Sequence, residues 1–135
     1  MKRKDAKGAA AAAEYFIELY PYVMATGDTE EFEAMSHRAC GFCEDAIEQA
    51  ERIKKRGFTY TGGYTELTVV TTYARDGVTG IFPLDVRIAQ QSSLILDDDG
   101  KDIHLANDKV SESRVEMGLR RGEWVVVAVA LSPEE

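Results

Sequence analysis

The period of the apolar positions divides the chain into a helical first half and a strand-forming second half. Ala13, Phe16, Ile17, Tyr20 and Met24 recur at helical spacing and predict a helix over residues 9–25. Tyr15, Leu19 and Tyr22 add a second stripe, so this helix is expected to be mostly enclosed. Pro21 removes a backbone donor and predicts a kink in the last turn, and Gly27 suits a left-handed helix end. In "DTEEFEAM", Asp28 is expected to cap a short second helix with Glu31 closing a capping box, while Phe32 and Met35 turn inward. A third helix is expected over residues 40–55. Its buried stripe is Cys43, Ala46, Ile47, Ala50 and Ile53, its early glutamates and late basic residues complement the helix dipole, and Gly57 closes it.

From Phe58 the composition turns β-rich. Asp76–Gly77 predicts a hairpin between "YTELTVVTTY" and "VTGIFPLDVRIAQQ". In the second of these runs Val78, Phe82, Leu84, Val86 and Ile88 share one face, and Thr79, Asp85 and Arg87 share the other. "LILDDDGKDIHL" reads as a hairpin turning at Asp99–Gly100. "SRVEMGLRRGEWVVVAVAL" reads as another, with Val115, Met117 and Leu119 on one face and a nearly continuous apolar strand from Trp124 to Leu131. That continuity predicts a central strand covered on both sides. The fold class expected is α+β: three N-terminal helices packed on a curved antiparallel sheet. Residues 1–8 are expected to be disordered and 9–131 to form one domain.

Sixteen basic residues stand against 24 acidic ones, a net charge of −8, and Lys2, Arg3 and Lys4 are among the basic residues. Such an acidic body argues against nucleic-acid binding, which concentrates Lys and Arg on one face. No stretch reaches the roughly 18 apolar residues needed to span a bilayer. The start "MKRKDAKGAAAAAEYF" imitates a signal peptide, but Asp5, Lys7, Gly8 and Glu14 break the pattern and no strongly apolar centre follows. At face value the chain is cytoplasmic.

Residues 8–63, from "GAAAAAEYFIELYPYVMATGD" through "CGFC" to "YTGG", resemble the N-terminal half of the actinobacterial domain of unknown function 6318 family. An aromatic-rich first helix ending in "ATGD", a Cys-x-x-Cys and a Gly-Gly before the strands carry the likeness, and Pro21 departs from it only in the local bend of the helix. The later "RGEWVV" resembles the final strand of nuclear-transport-factor-2-like domains. The resemblance implies the cone-shaped, cystatin-like arrangement of that superfamily. It also implies an exported lipoprotein held at the membrane by a lipidated cysteine outside the residues compared, hence an extracytoplasmic address. It assigns no reaction. Dimerisation through the open sheet face is an expectation by analogy.

Cys40 and Cys43 stand at the predicted start of the third helix and admit three readings. A thioredoxin-type dithiol would need a preceding strand and an exposed Cys40 of lowered pKa. A zinc site could use His37, Cys40 and Cys43 with acidic residues completing the shell. The third is an i,i+3 disulfide, which requires Cys40 to lie before the first helical turn. Within a helix the Cβ atoms are about 5–6 Å apart, against about 3.8 Å in a disulfide. The disulfide fits an exported protein and would fix the angle between the second and third helices.

"DDDGKD" resembles a calcium loop, but its glycine comes early and the distal glutamate is missing, so a solvated turn is expected. Tyr15, Tyr20, Asp85, His104 and Trp124 are the candidate pocket residues, with His104 or Asp85 as polar anchor. No catalytic constellation, metal site or cofactor is expected. The function expected is a non-catalytic binding or interaction domain, its partner an unknown protein or a small ligand. The alternative is an enzyme or carrier using the cavity of the cone. An open pocket with converging polar groups favours the cavity; a core filled by Phe16, Tyr20, Phe82 and Trp124 favours an interaction surface.

Overall fold

Pro21 breaks the first expected helix rather than bending it. In the computed structural model, which describes residues 3–131, α1 (Ala6–Glu18) ends at Leu19 and α2 (Tyr20–Thr26) begins with Pro21 in its first turn. There a missing N–H costs nothing, because first-turn donors have no intrahelical partner. The helix also starts earlier than expected. Asp5 is extended and its carboxylate accepts the Gly8 N–H at 3.0 Å, while the Arg3 carbonyl accepts the Trp124 indole N–H at 2.9 Å. α1 thus begins within the segment expected to be disordered, and Met1 and Lys2 lie outside the described residues.

Gly27 takes the left-handed conformation at φ +72° and closes α2. Thr29, not Asp28, precedes α3 (Glu30–Ala34), and its hydroxyl donates to the Glu33 carboxylate. Asp28, one residue earlier, still accepts the Glu30 N–H at the start of α3, at 3.3 Å, and accepts from the Tyr22 hydroxyl at 3.0 Å. Phe16 and Phe32, both fully buried, stack at 4.1 Å and join α1 to α3. The second stripe of the first helix is not enclosed: Tyr15 and Tyr22 are exposed. α4 (Gly41–Lys55) starts and stops where the sequence predicts.

The strands are β1 (Thr59–Gly62), β2 (Thr65–Thr72), β3 (Phe82–Gln90), β4 (Ser93–Leu96), β5 (Asp102–Ala106), β6 (Lys109–Arg120) and β7 (Glu123–Leu131). They form a four-stranded sheet in the order β2-β3-β6-β7 and a three-stranded sheet in the order β1-β4-β5, all antiparallel. Residues 63–64, 91–92 and 107–108 are the only connections between β1 and β2, β3 and β4, and β5 and β6. Since β1 pairs with β4 as β2 pairs with β3, the two sheets are one layer folded across a corner.

Glycine makes the corner. Gly62 and Gly63 sit at φ +78° and +74°, a region L-residues occupy only at a cost. The Gly63 N–H donates to the Ser92 carbonyl at 2.9 Å, the Gln91 N–H to the Tyr64 carbonyl at 2.8 Å, and the Ser92 N–H to the Asp108 carboxylate at 2.7 Å. The helices fill the concave side, where Phe82, Leu84, Val86, Val115, Met117, Trp124 and Val126 meet Ala9, Ala13, Phe16 and Phe32 in one core.

β7 is an edge strand, not the central strand its apolar run predicted. The linker between α3 and α4 supplies the missing neighbour: Val126 N–H donates to the Met35 carbonyl at 2.7 Å, and the His37 N–H to the Val126 carbonyl at 2.9 Å. A covered edge tolerates apolar side chains on both faces, and Trp124, Val125 and Val126 are all buried. At the opposite edge, Glu18 of α1 accepts the Leu67 N–H of β2 at 3.2 Å. The Asp76–Gly77 turn is wider than expected. The Asp76 carboxylate accepts the Val78 and Thr79 N–H groups, leaving Val78 95% exposed rather than on the apolar face.

Candidate functional site

Every second residue of β6 from Lys109 to Met117 faces the helices, and in that order the row reads Lys109, Ser111, Ser113, Val115, Met117. Across the ladder Lys109 pairs with Gln90, and Gln90 pairs with Thr65; Ser111 pairs with Ile88. The concave face therefore grades from an apolar floor to a polar rim near the corner. Above the rim stand Ile17 and Tyr20, and Phe42 at the start of α4. With Thr65, Ile88, Gln90, Lys109, Ser111 and Ser113 below, and Val129 and Ala130 of β7, they line an open cavity of about 290 Å³.

Among the described residues its polar groups are hydroxyls, an amide and one ammonium, and no carboxylate lines it. Gln90 donates to the Thr65 hydroxyl at 3.2 Å, which donates to the Gly63 carbonyl at 2.6 Å, so the corner fixes this part of the wall. The Tyr20 ring stacks on Phe42 at 6.1 Å. Burial, with the neighbouring Tyr60 phenol adding to it, pushes the Tyr20 hydroxyl up to about 12, so it remains a proton donor at any physiological pH.

Cys40 and Cys43 are bonded to each other. Cys40 is extended at the N-cap of α4, its Cα 5.2 Å from that of Cys43, and its Sγ accepts the Cys43 N–H at 3.1 Å. Both are 1% exposed. A bonded and buried pair preceded by a helix and linker is not the exposed dithiol of a thioredoxin, and its sulfurs are not thiolates offered to zinc. His37, the third ligand of that reading, accepts the Ala39 N–H through Nδ1 at 3.0 Å. Phe42, the cavity-wall aromatic, is held between the two cysteines.

Of the five residues expected to form a pocket, Tyr20 alone lines this cavity. Tyr15 is exposed, and the nearby Glu31 carboxylate holds its pKa above the ordinary value. Trp124 is core, edge-on to Phe82 at 5.2 Å. His104 is exposed on β5, opposite Ile95. Asp85 lies on the outer face of the sheet, because it alternates with Leu84 and Val86, which point inward. There it accepts from Arg114 Nε at 2.8 Å and from the Tyr73 hydroxyl at 2.6 Å, and the Arg114 guanidinium stands 5.1 Å from the Tyr73 ring centroid. Arg114 first, then Tyr73, holds the Asp85 carboxyl below the usual carboxylate range.

The cavity residues beyond Tyr20 carried a signal that strand parity offers. Continuing the alternation back from Val115 gives Ser113, Ser111 and Lys109, and forward from Val86 gives Ile88 and Gln90. Asp97, Asp98 and Asp99 approach within 4.8 Å of one another, but the Asp97 carboxylate accepts the Asp99 and Lys101 N–H groups and so closes the β4–β5 turn.

Among the described residues no helix is long and apolar enough to cross a membrane. No curated protein matches the sequence. Among solved structures, the chain is similar to the intermembrane-space region of the chloroplast protein ARC6, at 12% identity and TM-score 0.64, covering 96% of this chain and 99% of that one. A protein from Catenulispora acidiphila matches at 13% identity and TM-score 0.54, covering 93% of each chain. An uncharacterised protein with a cystatin-like fold from Caulobacter vibrioides matches more loosely, at 14% identity and TM-score 0.49, covering 93% of this chain and 91% of that one. These likenesses are of fold. A family profile matches residues 1–130, and the chain belongs to that family, described as a family of unknown function (DUF6318).

Proposed function

We propose that this chain is an extracytoplasmic domain that binds a small molecule in the cavity of its cone and does not transform it. The protein carrying it is held at the membrane by a lipidated cysteine other than Cys40 and Cys43. The observation that carries the binding role is the cavity itself: an apolar floor, an aromatic wall and a rim of hydroxyl, amide and ammonium groups, the lining expected of a small-molecule site. A non-catalytic role is supported by the chemistry of that lining. Among the described residues its one phenol stays protonated, and no histidine, cysteine or carboxylate joins it as a base or nucleophile. The Cys40–Cys43 disulfide supports the address, since such bonds persist in oxidising compartments.

A thermal-shift screen of small metabolites tests the binding role. Compounds that raise the unfolding midpoint are expected to lose that effect in Ser111→Trp, which fills the cavity, and to be recovered chemically unchanged from the wild-type protein. A screen in which nothing shifts the midpoint, or a ligand recovered transformed, would overturn it. Detergent-phase partitioning of the full-length protein, together with incorporation of a labelled fatty acid, tests the anchor.

A further inference from the structure

Resting on the binding role proposed above, we infer that the ligand is a small aromatic monocarboxylate, its carboxylate held by Lys109 and its ring laid against Tyr20 and Phe42. The charge distribution leads there first. The chain carries a net charge of −8, yet among the described residues its cavity is lined by one ammonium and no carboxylate. Lys109 takes part in no ion pair among the described residues. Asp108 and Glu66 share a shallow hollow with it on the other side of the strand, but neither lies within ion-pairing distance, and Asp108 is engaged with the Ser92 N–H. A cation at the rim of a low-dielectric cleft in an acidic protein favours an anion over a neutral or cationic ligand.

Size and stoichiometry narrow the class. One ammonium balances one negative charge, whereas a phosphate ester would bring close to two into the field of an already anionic chain. A volume of about 290 Å³ lies at the lower limit of ligand pockets and suits a single ring with short substituents. The body of the ligand must be apolar and flat to use the wall, since Tyr20 and Phe42 present nearly parallel rings, 27° apart, and the aliphatic Ile88 and Val129 line the same cavity. The Tyr20 hydroxyl has no hydrogen-bond partner among the described residues, so it is free to donate to the second carboxylate oxygen or to a ring substituent.

Benzoate and its neutral isostere benzamide are the probes, titrated by calorimetry at low and moderate salt. Benzoate is expected to bind at least about tenfold more tightly than benzamide, the effect of one charge-assisted hydrogen bond. Lys109→Gln is expected to erase that ratio by weakening benzoate alone. Lys109 is exposed, so this variant folds as the parent does. Equal binding of the two probes, or a ratio unchanged by Lys109→Gln, would overturn the anion preference while leaving the cavity a binding site. Benzoate binding that survives Ser111→Trp would place the probe elsewhere and overturn the assignment. Should both probes fail while other compounds of the screen bind, the ligand class falls and the binding role stands; if nothing binds, the binding role falls with it.

Discussion

The two faces of the bent sheet both carry polar residues, and they use them differently. On the outer face Asp85, Arg114 and Tyr73 satisfy one another, and Arg87 pairs with Glu112 at 2.9 Å. On the inner side near the corner, Lys109 of β6 and Tyr20 of α2 above it are left without protein partners among the described residues. A polar side chain whose bonds are complete belongs to the architecture; one that keeps unused bonding capacity in a concavity is available to a ligand. Titratable residues drew attention to Asp85 and His104, but unspent hydrogen bonds distinguish the cavity better than ionisability does.

If the bend creates this difference, straightening it should do the most damage. Gly62 sits at φ +78°, and a Cβ there would lie 2.5 Å from the Ser92 carbonyl oxygen, a backbone atom that cannot rotate away. The left-handed conformation costs about 1–2 kcal/mol, and displacing the backbone adds about 1–3 kcal/mol. Gly62→Ala is therefore expected to lower the stability measured by urea denaturation by about 2–5 kcal/mol and to abolish binding in the cavity. Gly100, at φ +81° with nothing within 4 Å of an added Cβ, is the control and should lose only about 1–2 kcal/mol as Gly100→Ala. Equal losses at the two positions would show that the corner is not special.

A smaller effect is expected from the disulfide. Its loop is so short that the chain-entropy relation gives about 2 kcal/mol. Replacing both cysteines by alanine should lower the denaturation midpoint accordingly and should weaken cavity ligands as well, because Phe42, which lies between them in the sequence, lines the cavity. Reducing agent should reproduce the result in the parent and leave the double variant unchanged. Cavity affinity that survives the loss would detach the bridge from the inner face and restrict it to joining α4 to the linker that covers β7.

Local signals wrote much of this fold into the sequence. Gly27 and Gly57 ended helices, Cys40 opened α4, and the β4–β5 and β6–β7 turns fell where glycine announced them. What escaped was non-local. Nothing local tells that residues 35–37 will lie beside Val126, so the apolar run of β7 read as a central strand. Nor does a Gly-Gly pair reveal which strands it folds onto which. The site was partly legible and partly misjudged. Strand parity already placed Asp85 opposite Leu84 and Val86, hence outside, and the same parity pointed Ser111, Ser113 and Gln90 inward. A preference for ionisable groups over quiet hydroxyls concealed the rim.

The outer network offers the smallest effect. Asp85 is bound by Arg114 and Tyr73 in the folded chain and by neither when unfolded, so its folded pKa lies below the unfolded value near 3.9. A depressed carboxyl pKa stabilises the fold fully above the unfolded value, and the contribution fades as pH falls through the folded one. Asp85→Asn should therefore cost little at neutral pH, about 0.2–1 kcal/mol as for other solvent-accessible pairs, and nothing once the pH is acid enough to protonate the parent. Because Asp85 points away from the cavity, the variant should bind any cavity ligand as the parent does. A loss of affinity in Asp85→Asn would couple the two faces through Leu84 and Val86, and the division between a satisfied exterior and an available interior would then have to give way to a single network spanning the sheet.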